Sequence, residues 1–135
     1  MKKFTLILMA VAMLIISEST CAAQDIFVGR YNHAGDAVYY IMGETIKDTT
    51  PPSAHDYRSF EVSIKIVDNG EVQDILTYSY DEVTNKPWTH RLVKRMNGTV
   101  PPTVDDLLFP ARNKVFEFSM DQLGWSYEII DGHYY

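Results

Sequence analysis

Four histidines are the side chains of this 135-residue chain best suited to proton transfer or metal binding near neutral pH. They are widely spaced, at His33, His55, His90 and His133. Zinc sites hold their ligands at short characteristic spacings such as His-Glu-x-x-His, and no such spacing occurs here. We therefore interpret the histidines as surface residues and predict no metal site and no other cofactor.

Other motifs of catalysis are also missing from the sequence. There is no Gly-x-Ser-x-Gly elbow and no glycine-rich phosphate loop. The paired carboxylates Asp81-Glu82 and Asp105-Asp106 are adjacent in sequence, so their side chains diverge on a strand or a helix. The sequence predicts no catalytic residue. A small secreted hydrolase or metal-dependent enzyme, built from scattered histidines and acids, stays open as an alternative.

One segment combines aromatic and basic side chains and is our candidate binding site. It contains Trp88, His90, Arg91, Lys94 and Arg95. An acidic or sugar-like ligand, or an acidic protein surface, would fit this composition. The competing interpretation is an edge strand, on which cationic side chains discourage pairing with other chains.

Charge limits the partners of the chain. Twelve Lys and Arg residues oppose 18 Asp and Glu residues, which gives a net charge of −6. Nucleic acids and anionic membranes both require basic surfaces, so we expect neither as a partner. A protein or a glycan at a cell surface remains compatible with the charge. The oligomeric state is left open.

Residues 1–23 have the layout of a secretory signal peptide. Lys2 and Lys3 precede an apolar run of about 11 residues, and the small residues Cys21, Ala22 and Ala23 follow. The run is shorter than the roughly 20 residues of a membrane span. We expect cleavage after Ala23, export to the periplasm or medium, and no transmembrane segment in the remaining 24–135 domain. Lipid anchoring through Cys21 is the alternative.

The exported part is predicted to be a single, mainly β domain. Apolar and polar side chains alternate through Phe60–Ile66 and again through Val72–Tyr80, which is the period of half-buried strands. Further strands are predicted at 26–31, 37–42, 88–96, 114–120 and 125–130. A short helix capped by Thr103 is predicted through Leu108. The expected fold is an antiparallel sheet of about five to seven strands with one short helix.

The register of the two strands with alternating side chains indicates how many residues form the turn between them. A two-residue turn at Asn69-Gly70 would set the apolar side chains of one strand beside the polar side chains of the other. A three-residue loop, Asp68-Asn69-Gly70, places them on one face and pairs Phe60 with Tyr78. We therefore predict the three-residue loop.

Residues 26–96 resemble small exported bacterial proteins of the surface-adhesin E type. The matching pieces are Val38-Tyr39-Tyr40-Ile41, Thr45-Ile46 and the strand Phe60–Val67, which correspond to "YYID", "SI" and "V-K-V" in that family. Phe27-Val28-Gly29 stands where the family has a tryptophan. The resemblance implies a compact β-rich fold at the cell envelope, and we expect a non-enzymatic binding or adhesion module. A structural periplasmic partner protein is a further alternative.

Overall fold

The computed structural model describes residues 24–31, 37–103, 107 and 111–135. Six strands form one antiparallel sheet in chain order: β1 (Asp25–Tyr31), β2 (Ala37–Asp48), β3 (Tyr57–Asp68), β4 (Glu71–Val83), β5 (Thr89–Arg95) and β6 (Gly98–Thr103). A helix, α1 (Ala111–Leu123), follows, and the chain ends in a small hairpin of β7 (Ile129–Ile130) and β8 (His133–Tyr134). The predicted fold class, mainly β with one short helix, is confirmed.

The core lies between one face of the sheet and α1. Alternation along β3 and β4 points six apolar side chains to this face, and each is at most 6% exposed: Phe60, Val62, Ile64, Leu76, Tyr78 and Tyr80. Helix α1 covers them with Val115, Phe116 and Met120, which are also buried. Full burial of one such side chain stabilises the fold by about 1.5–3 kcal/mol.

The prediction of a three-residue loop between β3 and β4 is wrong. Asn69 and Gly70 have φ values of 50° and 80°, as in a two-residue turn. The register then shifts between Ile66 and Val67, which leaves Gln73 as an extra residue in β4. This bulge returns the apolar side chains to one face and pairs Phe60 with Tyr80 instead of Tyr78.

Strand β2 continues beyond the end predicted for it at Met42. It passes Gly43 and reaches Asp48, with an irregular register between Met42 and Lys47. The hydroxyl of Thr45 compensates for the interrupted ladder, since it donates to the Met42 carbonyl at 2.6 Å and accepts from the Ser63 amide at 2.8 Å. A side chain thus replaces the backbone partners that the bulge removes.

The edge-strand interpretation of β5 is also wrong, because β5 lies between β4 and β6. Within the described part of the sheet, β1 and β6 are the outer strands. Residues 99–102, which no predicted strand covers, belong to β6. Its Pro101-Pro102 pair is compatible with an edge position, where missing amide donors cost little.

Two strands predicted at 114–120 and 125–130 are replaced by α1 and the short strand β7. Strong helix formers dominate Ala111–Leu123, and Val115, Ser119 and Met120 recur at helical spacing on the buried face. The helix ends at Gly124, which has φ 69°. The Gly124 amide donates to the backbone carbonyl of Asp121, and the Trp125 amide donates to the backbone carbonyl of Met120.

The short helix predicted from Thr103 to Leu108 lies largely outside the described residues. Leu107 is described, and its side chain is buried at 6% exposure against the core. Among the described segments, no helix has the length and apolar character needed to cross a membrane.

Candidate binding cleft

A cleft of about 200 Å³ lies where the sheet, the first half of α1 and the C-terminal hairpin meet. The sheet side contributes Tyr80 from β4 and His90 from β5, with Trp88 just before β5. The opposite side is formed by Arg112, Asn113 and Phe116 of α1 and by Gly132, His133 and Tyr134 of the hairpin. We call this site the cleft.

The sheet side of the cleft is held by stacked rings. The Tyr80 ring lies parallel to Phe60, with ring centroids 4.8 Å apart and an interplanar angle of 4°. His90 is the β5 partner of Tyr80 and stacks on its ring at 5.5 Å. Cross-strand aromatic pairs of this kind fix ring orientation, so these side chains form a rigid wall.

The hairpin is attached to the rest of the protein through Tyr134. Its carbonyl accepts from the backbone amide of Trp88 at 2.8 Å, and its ring packs on Phe116 at 4.6 Å. The Tyr134 hydroxyl donates to Glu117 Oε1 at 2.8 Å. Burial, and then this hydrogen bond, raises the pKa of Tyr134 to about 12.

Trp88 is braced from the side by Arg58. The guanidinium carbon of Arg58 lies 5.3 Å from the Trp88 ring centroid and 5.4 Å from that of Trp125. Arg58 Nε also donates to Glu82 at 2.6 Å. A cation held over two indole rings restricts them, so Trp88 keeps its orientation toward the cleft.

Three polar atoms in the lining residues are buried without a hydrogen-bond partner among the described residues: the Tyr80 hydroxyl, Trp88 Nε1 and Asn113 Oδ1. They come from a strand, a loop and a helix. Buried polar groups in native proteins are nearly always satisfied, by protein, water or ligand. These three atoms are shielded from solvent, so they lie behind the accessible surface of the cleft.

One guanidinium and two imidazole groups line the cleft. They belong to Arg112, His90 and His133, and none of the described lining residues is Asp or Glu. Arg112 lies in the first turn of α1, which contains no acidic residue, at the positive end of the helix dipole. Burial raises the pKa of Tyr80, and the nearby charge of Arg112 partly opposes that rise.

The five residues of the predicted binding segment do not all lie at the cleft. Trp88 and His90 line the cleft. Successive strand residues point to opposite faces, so Arg91 lies on the other face and pairs with Asp81 at 2.9 Å. Arg95 pairs with Asp74 at 3.2 Å, and Lys94 is exposed opposite Thr77.

Sequence reasoning missed the contribution of α1 and the hairpin. Arg112 and Asn113 lie outside every predicted strand and helix. His133 was interpreted as a surface residue, and it is exposed while it also lines the cleft. The aromatic run at 133–135 was the available signal, because terminal aromatic side chains need a surface to pack on.

Comparison with protein-family models, curated proteins and solved structures gave no match.

Proposed function

We propose that this protein is an exported bacterial envelope protein that acts as a non-enzymatic binding module, with its ligand held in the cleft. The cleft of about 200 Å³ carries this proposal, because it brings aromatic, imidazole, guanidinium and amide side chains together from the sheet, α1 and the C-terminal hairpin. A concave surface assembled from three separate parts of the chain favours a binding role for this place in the fold.

The composition of the lining favours binding over acid–base catalysis. A histidine that acts as a general base is usually oriented by a carboxylate, as in hydrolase triads. The described lining contains aromatic, cationic and amide groups and no carboxylate. Aromatic walls with a few convergent polar groups are typical of ligand-binding sites.

The location in the proposal comes from residues 1–23 and from the resemblance to surface-adhesin E proteins. Intact-mass measurement and cell fractionation test it. If the protein in the periplasm or medium has the mass of a chain that begins at Gln24, the result supports a free exported protein. Acyl mass on Cys21 would mean a lipid-anchored form, and a full-length cytoplasmic protein would contradict export.

The cleft itself can be tested by NMR, because the chain has only two tryptophans. Their indole N–H signals report on Trp88 in the cleft and on Trp125 behind it, and Trp125→Phe assigns them. We expect ligands from a panel of small polar molecules and glycan fragments to shift the Trp88 signal more than the Trp125 signal. A panel in which no compound shifts Trp88 selectively would contradict a binding role for the cleft.

A further inference from the structure

We infer that Asn69 is a site of spontaneous deamidation, in which the backbone amide of Gly70 attacks the Asn69 side chain and ammonia is released. The reaction takes place in the β3–β4 turn and needs only water. Gly70 precedes β4, whereas Tyr80 of the cleft lies near the far end of that strand. The modification site is therefore independent of the proposed binding function.

The modification proceeds in two steps, with water as the only co-reactant. The Gly70 nitrogen forms a bond to Asn69 Cγ, the Cγ–Nδ2 bond breaks, and the Gly70 amide proton leaves with the Nδ2 amide group as ammonia. Water then opens the resulting five-membered succinimide at one of its two carbonyl carbons. The product at position 69 is an aspartyl or an isoaspartyl residue. A following glycine favours the first step, because it has no Cβ to obstruct the approach.

The attacking amide is accessible in the β3–β4 turn. Asn69 and Gly70 are both exposed, and the ladder pair that closes the turn is Asp68 and Glu71. Across such a turn the amide of the fourth residue donates to the carbonyl of the first, so this bond belongs to Glu71 and leaves Gly70 out. Among the described residues, none accepts a hydrogen bond from the Gly70 amide.

The turn reaches the reactive geometry without loss of strand pairing. Asn69 and Gly70 have φ values of 50° and 80°, as in a type I′ turn. Attack requires rotation of the peptide that joins them, so that the Gly70 nitrogen faces Asn69 Cγ. This rotation gives a type II′ turn, in which φ stays positive at Asn69 and becomes negative at Gly70. Glycine adopts both signs of φ, and both turn types close a two-residue hairpin.

The same dipeptide occurs at Asn97-Gly98 in a different register. Both residues are exposed, but the β5–β6 turn is closed by the pair Arg95 and Gly98. The Gly98 amide is therefore the one that donates across its turn. Rotation of the Asn97–Gly98 peptide would break this hydrogen bond and open the end of the ladder. The position of the glycine relative to the turn thus separates two sites that are alike in sequence.

Asn85 shows that positive φ and exposure are not sufficient. Asn85 is exposed and has φ 66°. The next amide, that of Lys86, donates to the Val83 carbonyl at 2.8 Å, and the Cβ of Lys86 also obstructs attack. Asn69 combines an exposed side chain, a following glycine and an amide that the turn does not use.

The test is a time course of the purified protein at mildly alkaline pH, followed by peptide mapping with mass spectrometry. Synthetic peptides 67–72 and 95–100 serve as unstructured references, and each rate in the protein is divided by that of its peptide. We expect the normalised rate at Asn69 to be about tenfold higher than at Asn97, since breaking one backbone hydrogen bond accounts for about that factor. A normalised rate at Asn97 equal to or above that at Asn69 overturns the inference. An intact Asn69 after peptide 67–72 has been converted overturns it as well.

Gly70→Ala and Gly98→Ala are matched variants for the two sites. Gly70→Ala should slow conversion of Asn69 by about tenfold and leave Asn97 unchanged, because the added Cβ obstructs the attacking nitrogen. Gly98→Ala should leave the rate at Asn69 unchanged. Dispersed amide spectra establish folding, and the comparison in the unmodified protein decides if Gly70→Ala does not fold. Unslowed conversion of Asn69 in folded Gly70→Ala contradicts attack by the Gly70 amide.

Discussion

Phe60 and Tyr80 are direct cross-strand partners on β3 and β4, and their rings stack in parallel with centroids 4.8 Å apart. Phe60 is fully buried, so the Tyr80 ring is fixed from the core side. Tyr80 also lines the cleft, and its hydroxyl is buried without a hydrogen-bond partner among the described residues. One pair thus links the packing of the core to the candidate binding site.

Tyr80→Phe is expected to raise the free energy of unfolding by about 1 kcal/mol or more, because it removes a buried hydroxyl that no described group satisfies. Urea denaturation measures the change. Tyr57→Phe is the matched control, since the Tyr57 hydroxyl donates to Asp81 outside the cleft. We expect Tyr57→Phe to lower the free energy of unfolding by about 1–3 kcal/mol. Equal losses in both variants would mean that the Tyr80 hydroxyl is satisfied in the native protein.

Met120→Ala should destabilise the fold by about 2–5 kcal/mol, because Met120 is fully buried between α1 and the sheet. Thermal or urea unfolding followed by circular dichroism measures the loss. Gln122→Ala, on the exposed side of the same helix, should change stability by less than about 0.5 kcal/mol. A loss below 1 kcal/mol for Met120→Ala would show that α1 is not docked on this face.

Gly70→Ala should lower the free energy of unfolding by about 1 kcal/mol. Gly70 has φ 80° in the β3–β4 turn, and a residue with a Cβ is disfavoured in that conformation. Gly43→Ala is the contrasting variant. Gly43 has no such φ, and an added Cβ would meet only ordinary contacts, 3.9 Å from Gln24 O and 3.9 Å from Phe118 Cε1. We expect Gly43→Ala to leave the denaturation midpoint nearly unchanged or to raise it. Equal losses would contradict the two-residue turn.

Alkaline pH should destabilise the protein through Tyr134. Its pKa is raised from an ordinary value of 10.0 to about 12, so above pH 10 the unfolded chain releases a proton that the folded chain retains. The contribution is complete below pH 10 and is lost as the pH rises toward 12. Unfolding measured across this window should show a smaller decline for Tyr134→Phe than for the original chain. An unchanged slope in the variant would contradict the assignment to Tyr134.

The side chains of β3 and β4 that enter the core can be identified from the local residue pattern. Alternation with period two assigns Phe60, Val62 and Tyr80 to a common face, and a register shift of two residues preserves that assignment. The predicted pairing was therefore wrong by two residues, while the predicted core face was right. The turn type escaped prediction because the compensating bulge at Gln73 has no distinctive local signal.

The composition of the cleft depends on contacts between elements that are distant in the chain. Trp88 and His90 stood out in the sequence, but alternation along β5 sends Arg91 to the opposite face and into an ion pair with Asp81. Arg112 and His133 reach the cleft because α1 packs across the sheet and the hairpin folds back onto Trp88. Local patterns encode the period and the faces of each element. Residues that are distant in the chain come together only when the faces of different elements pack against one another. No single segment specifies that packing.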